Sequence, residues 1–358
     1  MSVRSNLVLS SAGVTLSVPN AGQRSVAGTC MLPADECPNP AIGSYLTGGA
    51  RVDLAVSRMR RWKLISAGVA IVACSRGQTS RAPAPPGATD STWTTASGAT
   101  AGLAHVNGTT LYFERRGQGR PVVLIGGANL ALEQWDAQFE ALARHYDVVR
   151  YDVRGFGRSG PADAAGYMAH DDLHALLQRI SVRRASIVGL SLGGRIALDF
   201  ALAHPEMVDA LVLAGPGLSG FEWNNDSSFQ PIAAAAAKRD SVRAALLWLE
   251  HPYMAPAMEN PALAPTLRQL AVANARVWVN ADSERVAPAP AVGRLREIKV
   301  PTLVMIGDRD VADIHRIVEM IVRDVPGATQ VVFEHTGHVL HMEQPERFTA
   351  AVLAFLGS

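Results

Sequence analysis

Beyond residue 120, short and largely apolar runs keep returning, at 122–125, 148–151, 185–188, 210–214, 302–306 and 331–333, interrupted only by Arg150, Ser186 and Thr302. Most are separated by stretches with the apolar spacing of a helix, at 130–144, 165–180, 192–204, 314–323 and 345–356. A strand made almost only of apolar residues has no polar face to give to water, so it must be covered on both sides. Alternation with helices supplies that cover and predicts an α/β fold, a mostly parallel central sheet with helices on both faces. Ahead of these runs, Asn107-Gly108 stands between two short apolar alternations. A two-residue turn of this composition takes positive φ at both positions, so the domain is expected to open with a β-hairpin. The pattern breaks between about 216 and 297, which holds Trp223, an Ala-rich helix near 232–236, Trp248, a Pro/Met-rich turn at 252–265 and a second helix over about 267–280. This stretch is expected to be a helical cap inserted over the C-terminal edge of the sheet, forming the apolar wall of a pocket.

The run 185–188 leads directly into Gly189-Leu190-Ser191-Leu192-Gly193-Gly194 and then into a helix. A G-x-S-x-G between strand and helix forms a turn sharp enough to crowd side chains at both flanks, which is why glycines stand there. The helix start beneath Ser191 also presents backbone N–H groups to developing negative charge. A serine hydroxyl is a poor nucleophile without a base, and the base needs a carboxylate to orient it. Both follow along the chain. The run 302–306 ends in Gly307-Asp308-Arg309-Asp310, and the run 331–333 leads into Glu334-His335-Thr336-Gly337-His338. His338 is the expected base, because Gly337 permits a tight loop that swings the imidazole over the sheet edge; His335 and His341 compete, the latter as a helix-start or packing residue. Asp310 is the expected acid by its distance past the strand end, with Asp308, suited to a capping or solvated role, and Asp313 as competitors.

With these residues, the segment Asp152-Val153-Arg154-Gly155-Phe156-Gly157-Arg158-Ser159 has the form D-x-R-G-x-G-x-S, and the closing stretch 338–345 carries Glu343 and Pro345. Residues 101–358 thereby resemble the α/β-hydrolase fold family, in particular its serine esterases, lactonases and C–C hydrolases. The resemblance implies Ser191 as nucleophile, Asp310 as acid and His338 as base, acting on a small-molecule ester, thioester or lactone through an acyl-enzyme, with no metal or organic cofactor. It also implies an oxyanion hole made of the backbone N–H groups of Leu192 and Ala128. Here the chain departs from the family, which usually has His-Gly where this sequence has Gly126-Gly127-Ala128-Asn129; Gly127 and Asn129 are the alternative donors. C–C bond hydrolysis and perhydrolase (haloperoxidase-like) chemistry use the same triad and stay open, as does a non-catalytic binding module on the same fold. The G-x-G-x-x-G at 155–160 runs into Pro161-Ala162-Asp163, a loop and not a helix, so no dinucleotide site is expected. Asp152 and Arg154 are expected to fix their own loop by an ion pair or backbone hydrogen bonds. Trp135, Trp223, Trp248 and Trp278 are expected to pack the core or cap, or to line the pocket.

The first hundred residues are different. They are rich in Ser, Ala, Gly, Thr and Pro and sustain no period long enough to build a core. Within them, Arg58-Met59-Arg60-Arg61-Trp62-Lys63 precedes an apolar run at 64–73 and then Cys74. That is the anatomy of a signal peptide, and Ile71-Val72-Ala73-Cys74 resembles the lipobox of bacterial lipoproteins. The expected organisation is an over-extended or disordered 1–58 with translation starting at Met59, a signal peptide at 59–73, lipidation at Cys74, a flexible linker at 74–100 and the folded domain at 101–358. It places the enzyme in the bacterial cell envelope on a lipid anchor, with a cytoplasmic location as the alternative. Other classes fall away on composition. Lys and Arg number 33 against 32 Asp and Glu, so nothing electrostatic favours nucleic acid. The three cysteines, Cys30, Cys37 and Cys74, make neither a disulfide framework nor a zinc site, and no apolar run reaches the roughly 18 residues of a spanning helix.

Overall fold

The computed structural model describes residues 7–10, 13–16 and 90–357, apart from 163–165, 225–226, 281–283 and 286. The signal-peptide segment and Cys74 lie outside the described residues. The chain divides into two compact units, 1–79 and 80–358. In the first, β1 (Leu7–Ser10) pairs antiparallel with β2 (Gly13–Leu16). A ribbon of two such short strands cannot bury a core of its own.

The second unit is built on a nine-stranded sheet. Its strands are β3 (Ser91–Thr94), β4 (Thr100–Val106), β5 (Thr109–Arg116), β6 (Pro121–Ile125), β7 (Asp147–Tyr151), β8 (Ala185–Leu190), β9 (Val208–Ala214), β10 (Thr302–Gly307) and β11 (Thr329–Phe333), in the order β11-β10-β9-β8-β6-β7-β5-β4-β3. From β7 to β11 every pairing is parallel, while β3, β4 and β5 join antiparallel. The Asn107-Gly108 hairpin is present, with φ of 45° and 81°, and Val106 faces Thr109 across the turn. The sheet also takes in β3, which falls inside the segment expected to be linker. Its alternating Ser-Thr-Trp-Thr is exposed throughout and gave no apolar signal.

Successive side chains of a strand point to opposite faces, and β6 shows the consequence. Val123 and Ile125 enter one core with α2 (Ala169–Arg179), α3 (Leu192–Ala203) and α8 (Ala312–Asp324), whereas Val122 and Leu124 enter the other with α1 (Asp136–Leu142), the short α9 (Leu340–Glu343) and α10 (Pro345–Gly357). Central strands are sealed on both sides: all residues of β7 and β10 are buried. Edge strand β11 is not, and Val332 is 44% exposed, because no strand or helix covers that flank as fully.

Between β9 and β10 the described residues of the cap form α4 (Gln230–Ala237), α5 (Ser241–Leu249), α6 (Ala255–Met258) and α7 (Ala264–Ala273). The expected pair of helices is α4 and α7. The sequence reading passed over α5, although Asp240 signals its start by accepting a hydrogen bond from the Arg243 N–H at 3.0 Å. Helix α5 packs against both α4 and α7, and its Trp248 and Leu249 are buried in the same core as α1 and α10. No helix among the described residues is long and apolar enough to cross a membrane.

Candidate active site

Ser191 sits at the joint between β8 and α3 with φ 51° and ψ −110°, a conformation that a non-glycine residue adopts only when its surroundings enforce it. The enforcement is backbone on backbone. The Ser191 N–H donates to the Ala214 carbonyl at 2.9 Å, and its own carbonyl accepts from Arg195 and Gly217. A Cβ on Gly189 would stand 2.3 Å from the Gly193 carbonyl oxygen, and one on Gly193 would stand 2.1 Å from that of Ile125. Both glycines of the motif are therefore required by close approach, and Ser191 is left projecting at the end of the sheet.

The expected acid and base, Asp310 and His338, come from the ends of β10 and β11, with β9 lying between them and β8. His338 Nδ1 lies 2.8 Å from Asp310 Oδ2, with both side chains almost fully removed from solvent. The other Asp310 oxygen accepts from the Val311 N–H at 2.8 Å. The two loops are laced together: Asp308 N–H donates to the Phe333 carbonyl, Arg309 N–H to that of Thr336, and Thr336 N–H to Asp308 Oδ1. Asp308 is thus a loop-fixing carboxylate, held below the ordinary range by backbone N–H groups of His335 and Thr336. Asp313 lies elsewhere, pairing with Arg316 and Asn224. His335 is exposed at φ 57°. His341 is buried against Trp135, ring centroids 4.3 Å apart, and burial pushes its pKa down to about 3. Gly337 is needed for a reason other than loop curvature: a Cβ there would meet Pro256 of the cap at 2.7 Å.

Sequence reasoning did not single out Gly215 or Tyr253. Gly215 follows β9 at φ 44°, and a Cβ there would come within 3.0 Å of Asp310 Oδ2 and 3.1 Å of His338 Nδ1, so its bareness makes room for the pair. Tyr253, from the cap, sets its ring edge-on to the His338 imidazole at 4.7 Å. A Gly after a strand and a Tyr in a Pro/Met-rich turn carry no signal until the cap is folded onto the sheet.

Ser191 and His338 share one cavity of about 240 Å³. The sheet side contributes Gly127, Ala128, Asn129, Leu130, Leu190 and Val339, and the cap contributes Phe229, Trp248, Tyr253, Met254 and Trp278. No Lys, Arg, Asp or Glu is among these lining residues. Of the four tryptophans considered from sequence, Trp248 and Trp278 line the cavity, Trp135 is in the core and Trp223 is 49% exposed.

Near Ser191, the Gly127 N–H is already committed, donating to Gln134 Oε1 at 2.9 Å. The N–H groups of Leu192, Ala128 and Asn129 are engaged by no other group among the described residues. Asp152 is buried behind this loop and accepts from the N–H groups of Leu132 and Arg158, at 2.8 Å each, and burial pushes its pKa up. Arg154 forms a buried ion pair with Asp172 at 2.7 Å. The D-x-R-G-x-G-x-S segment is accordingly a structural clamp on the sheet end. No group of three or more His, Cys, Asp or Glu that could hold a metal occurs among the described residues.

Comparison with known proteins agrees with this architecture. Residues 120–345 match the family model described as alpha/beta hydrolase fold. A protein of Rhizobium rhizogenes named as a carbamate hydrolase, RutD, is 30% identical over 260 residues, covering 69% of this chain and 97% of that protein. The 2-hydroxy-6-oxo-6-(2'-aminophenyl)hexa-2,4-dienoic acid hydrolase of Metapseudomonas resinovorans is 26% identical over 269 residues, covering 69% and 87%. Among solved structures, the enol-lactonase from Burkholderia xenovorans LB400 superposes with a TM-score of 0.62 at 25% identity, covering 72% of this chain and all of that one. With its matched span, sheet order and elbow, this chain belongs to the α/β-hydrolase fold family and is one of its hydrolases.

Proposed function

We propose that the protein is a serine hydrolase of uncharged carboxylic esters, thioesters or lactones with an apolar acyl or ring group. The observation that carries this reading is the pairing of Asp310 with His338 on the wall of an apolar cavity that also exposes Ser191 and whose described lining includes no carboxylate or cationic side chain. Ser191 Oγ attacks the substrate carbonyl as His338 Nε2 takes its proton, and Asp310 keeps the imidazole in the tautomer with Nδ1–H and stabilises the imidazolium. The tetrahedral oxyanion is held by the N–H groups of Leu192 and Ala128. His338 returns the proton to the leaving oxygen or sulfur, giving the acyl-enzyme and a free alcohol or thiol. Water, deprotonated by His338, then attacks the acyl carbon and releases the carboxylic acid and Ser191.

A second reading, C–C bond hydrolysis on the same triad, draws support from the dienoic acid hydrolase relative. That named substrate carries a carboxylate, and burying a carboxylate without a cationic or hydrogen-bonding partner costs several kcal/mol, so the lining argues for the neutral ester. Lipidation at Cys74 is a separate proposal that rests on the sequence alone; palmitate label lost on Cys74→Ala supports it, and an unlabelled parent protein ends it.

The test is reaction with a fluorophosphonate probe, the parent against Ser191→Ala, followed by a panel of p-nitrophenyl esters, lactones and ring-cleavage dienoates. Label confined to the parent and turnover of neutral esters support the proposal. Turnover of dienoates alone moves the assignment to C–C hydrolysis, and a folded protein that neither labels nor turns over any substrate is a binding module.

A further inference from the structure

The family's usual His-Gly after the strand is Gly126-Gly127 here, and the structure shows what has taken the lost side chain's place. Gln134, on the short 3-10 helix Leu132–Trp135, is 2% exposed and points its amide back under the 126–131 loop. Its Oε1 accepts from the Gly127 N–H at 2.9 Å, and its Nε2 donates to the Ala131 carbonyl at 3.0 Å. One amide therefore ties both ends of the loop that carries Ala128 and Asn129. A Cβ on Gly126 would stand 2.5 Å from that Nε2, so the amide and any side chain at 126 exclude each other. A space of only about 10 Å³ remains beside the amide, between the loop and Tyr151, Asp152 and Phe156. The loop in turn lies against the nucleophile: a Cβ on Gly127 would be 3.0 Å from Leu190 Cδ2 and 3.6 Å from Ser191 Cβ.

We infer that Gln134 is the positioning residue of the oxyanion loop, holding the Ala128 N–H toward the cavity and directing Gly127 away from it, in a role open to it because residue 126 is glycine. The inference rests on the hydrolase reading above. Gln134 touches no substrate; it acts through backbone donors whose aim matters only when charge develops on the carbonyl oxygen. Its loss should therefore weaken the transition state and leave ground-state binding nearly unchanged.

Gln134→Met keeps the volume and removes both hydrogen bonds. It is expected to lower kcat on p-nitrophenyl butyrate by about 10- to 100-fold, less than the 10²–10³ for deleting a donor outright. KM should stay within about twofold, and a butyl boronic acid, which mimics the tetrahedral adduct, should weaken in step with kcat. Gly126→Ala should produce a similar loss by displacing the amide, yet add little to Gln134→Ala, where the Cβ has room. Such non-additivity is the signature of two residues sharing one contact. A Gln134→Met protein whose melting temperature falls while kcat and boronate affinity hold, a rise in KM alone, or additive effects of Gly126→Ala and Gln134→Ala would each overturn the inference. If the parent protein is active and these variants match it, only the positioning role fails; if the parent takes no phosphonate label and has no turnover, the hydrolase reading fails and takes this role with it.

Discussion

Replacing Asp310 by Asn probes the proposed mechanism at a single bond. The Asp310 side chain is sealed from solvent, with Oδ2 at 2.8 Å from His338 Nδ1 and Oδ1 accepting the Val311 N–H at 2.8 Å. In Asp310→Asn the Val311 N–H still needs an acceptor, so the amide oxygen takes the Oδ1 place and the NH₂ group faces His338. A donor there makes Nδ1 the acceptor, moves the ring proton to Nε2 and leaves no base toward Ser191. A wrong tautomer of this kind costs about 10⁴ in kcat in serine proteases, equivalent to about 5.5 kcal/mol at roughly 1.36 kcal/mol per factor of ten. Because Asn is isosteric and removes a buried charge, the fold and substrate affinity should survive. Steady-state hydrolysis of p-nitrophenyl butyrate from about pH 6 to 9, with the phosphonate labelling rate alongside, measures the loss. Activity within about tenfold of the parent would refute the assignment of Asp310. The acid would then be sought at Glu343, whose pKa burial pushes up and which feels the charges of Asp310 and His338.

Three further outcomes are expected. Gly193→Ala drives a Cβ to within 2.1 Å of the Ile125 carbonyl oxygen, so overpacking should cost about 1–3 kcal/mol in a denaturant melt and abolish phosphonate labelling. Trp278→Ala lengthens the cavity at its cap wall; the ratio of kcat/KM for p-nitrophenyl octanoate over acetate should rise at least about tenfold, given about 1–3 kcal/mol per methylene, and an unchanged ratio would place the acyl group elsewhere. His341 is depressed by burial from 6.5 to about 3, so the folded state keeps it neutral while the unfolded chain binds a proton below 6.5. Its contribution is complete above pH 6.5 and is lost at about 1.4 kcal/mol per pH unit as pH falls toward 3. His341→Leu should flatten that acid limb in urea melts relative to the parent, and parallel limbs would count against it.

How much of this could be read without coordinates depended on whether the signal was local. The strands 122–125 and 210–214 announced themselves because burial on both faces favours unbroken apolar composition, and the Asn107-Gly108 turn because few residues accept positive φ twice. The elbow was legible for the same reason: backbone contacts at 2.1 and 2.3 Å leave Gly193 and Gly189 no alternative. The exposed strand β3 and the amphipathic cap helix α5 escaped because edge strands and cap helices meet looser local demands.

Tertiary structure alone decided the rest. Asp310 and Asp308 differ by two positions, and only the lacing of their loop to residues 333–336 turned one toward His338 and the other toward backbone N–H groups. Among the three N–H groups of Gly127, Ala128 and Asn129, the Gln134 amide occupies that of Gly127 and leaves the other two free. Gly215, Tyr253, Trp248 and Trp278 came to surround Ser191 and His338 only when distant segments met. A sequence by itself determines which residues have no steric or solvation alternative; which of several permitted donors, acids and walls face one cavity depends on contacts between segments far apart in the chain, and those exist only in the folded protein.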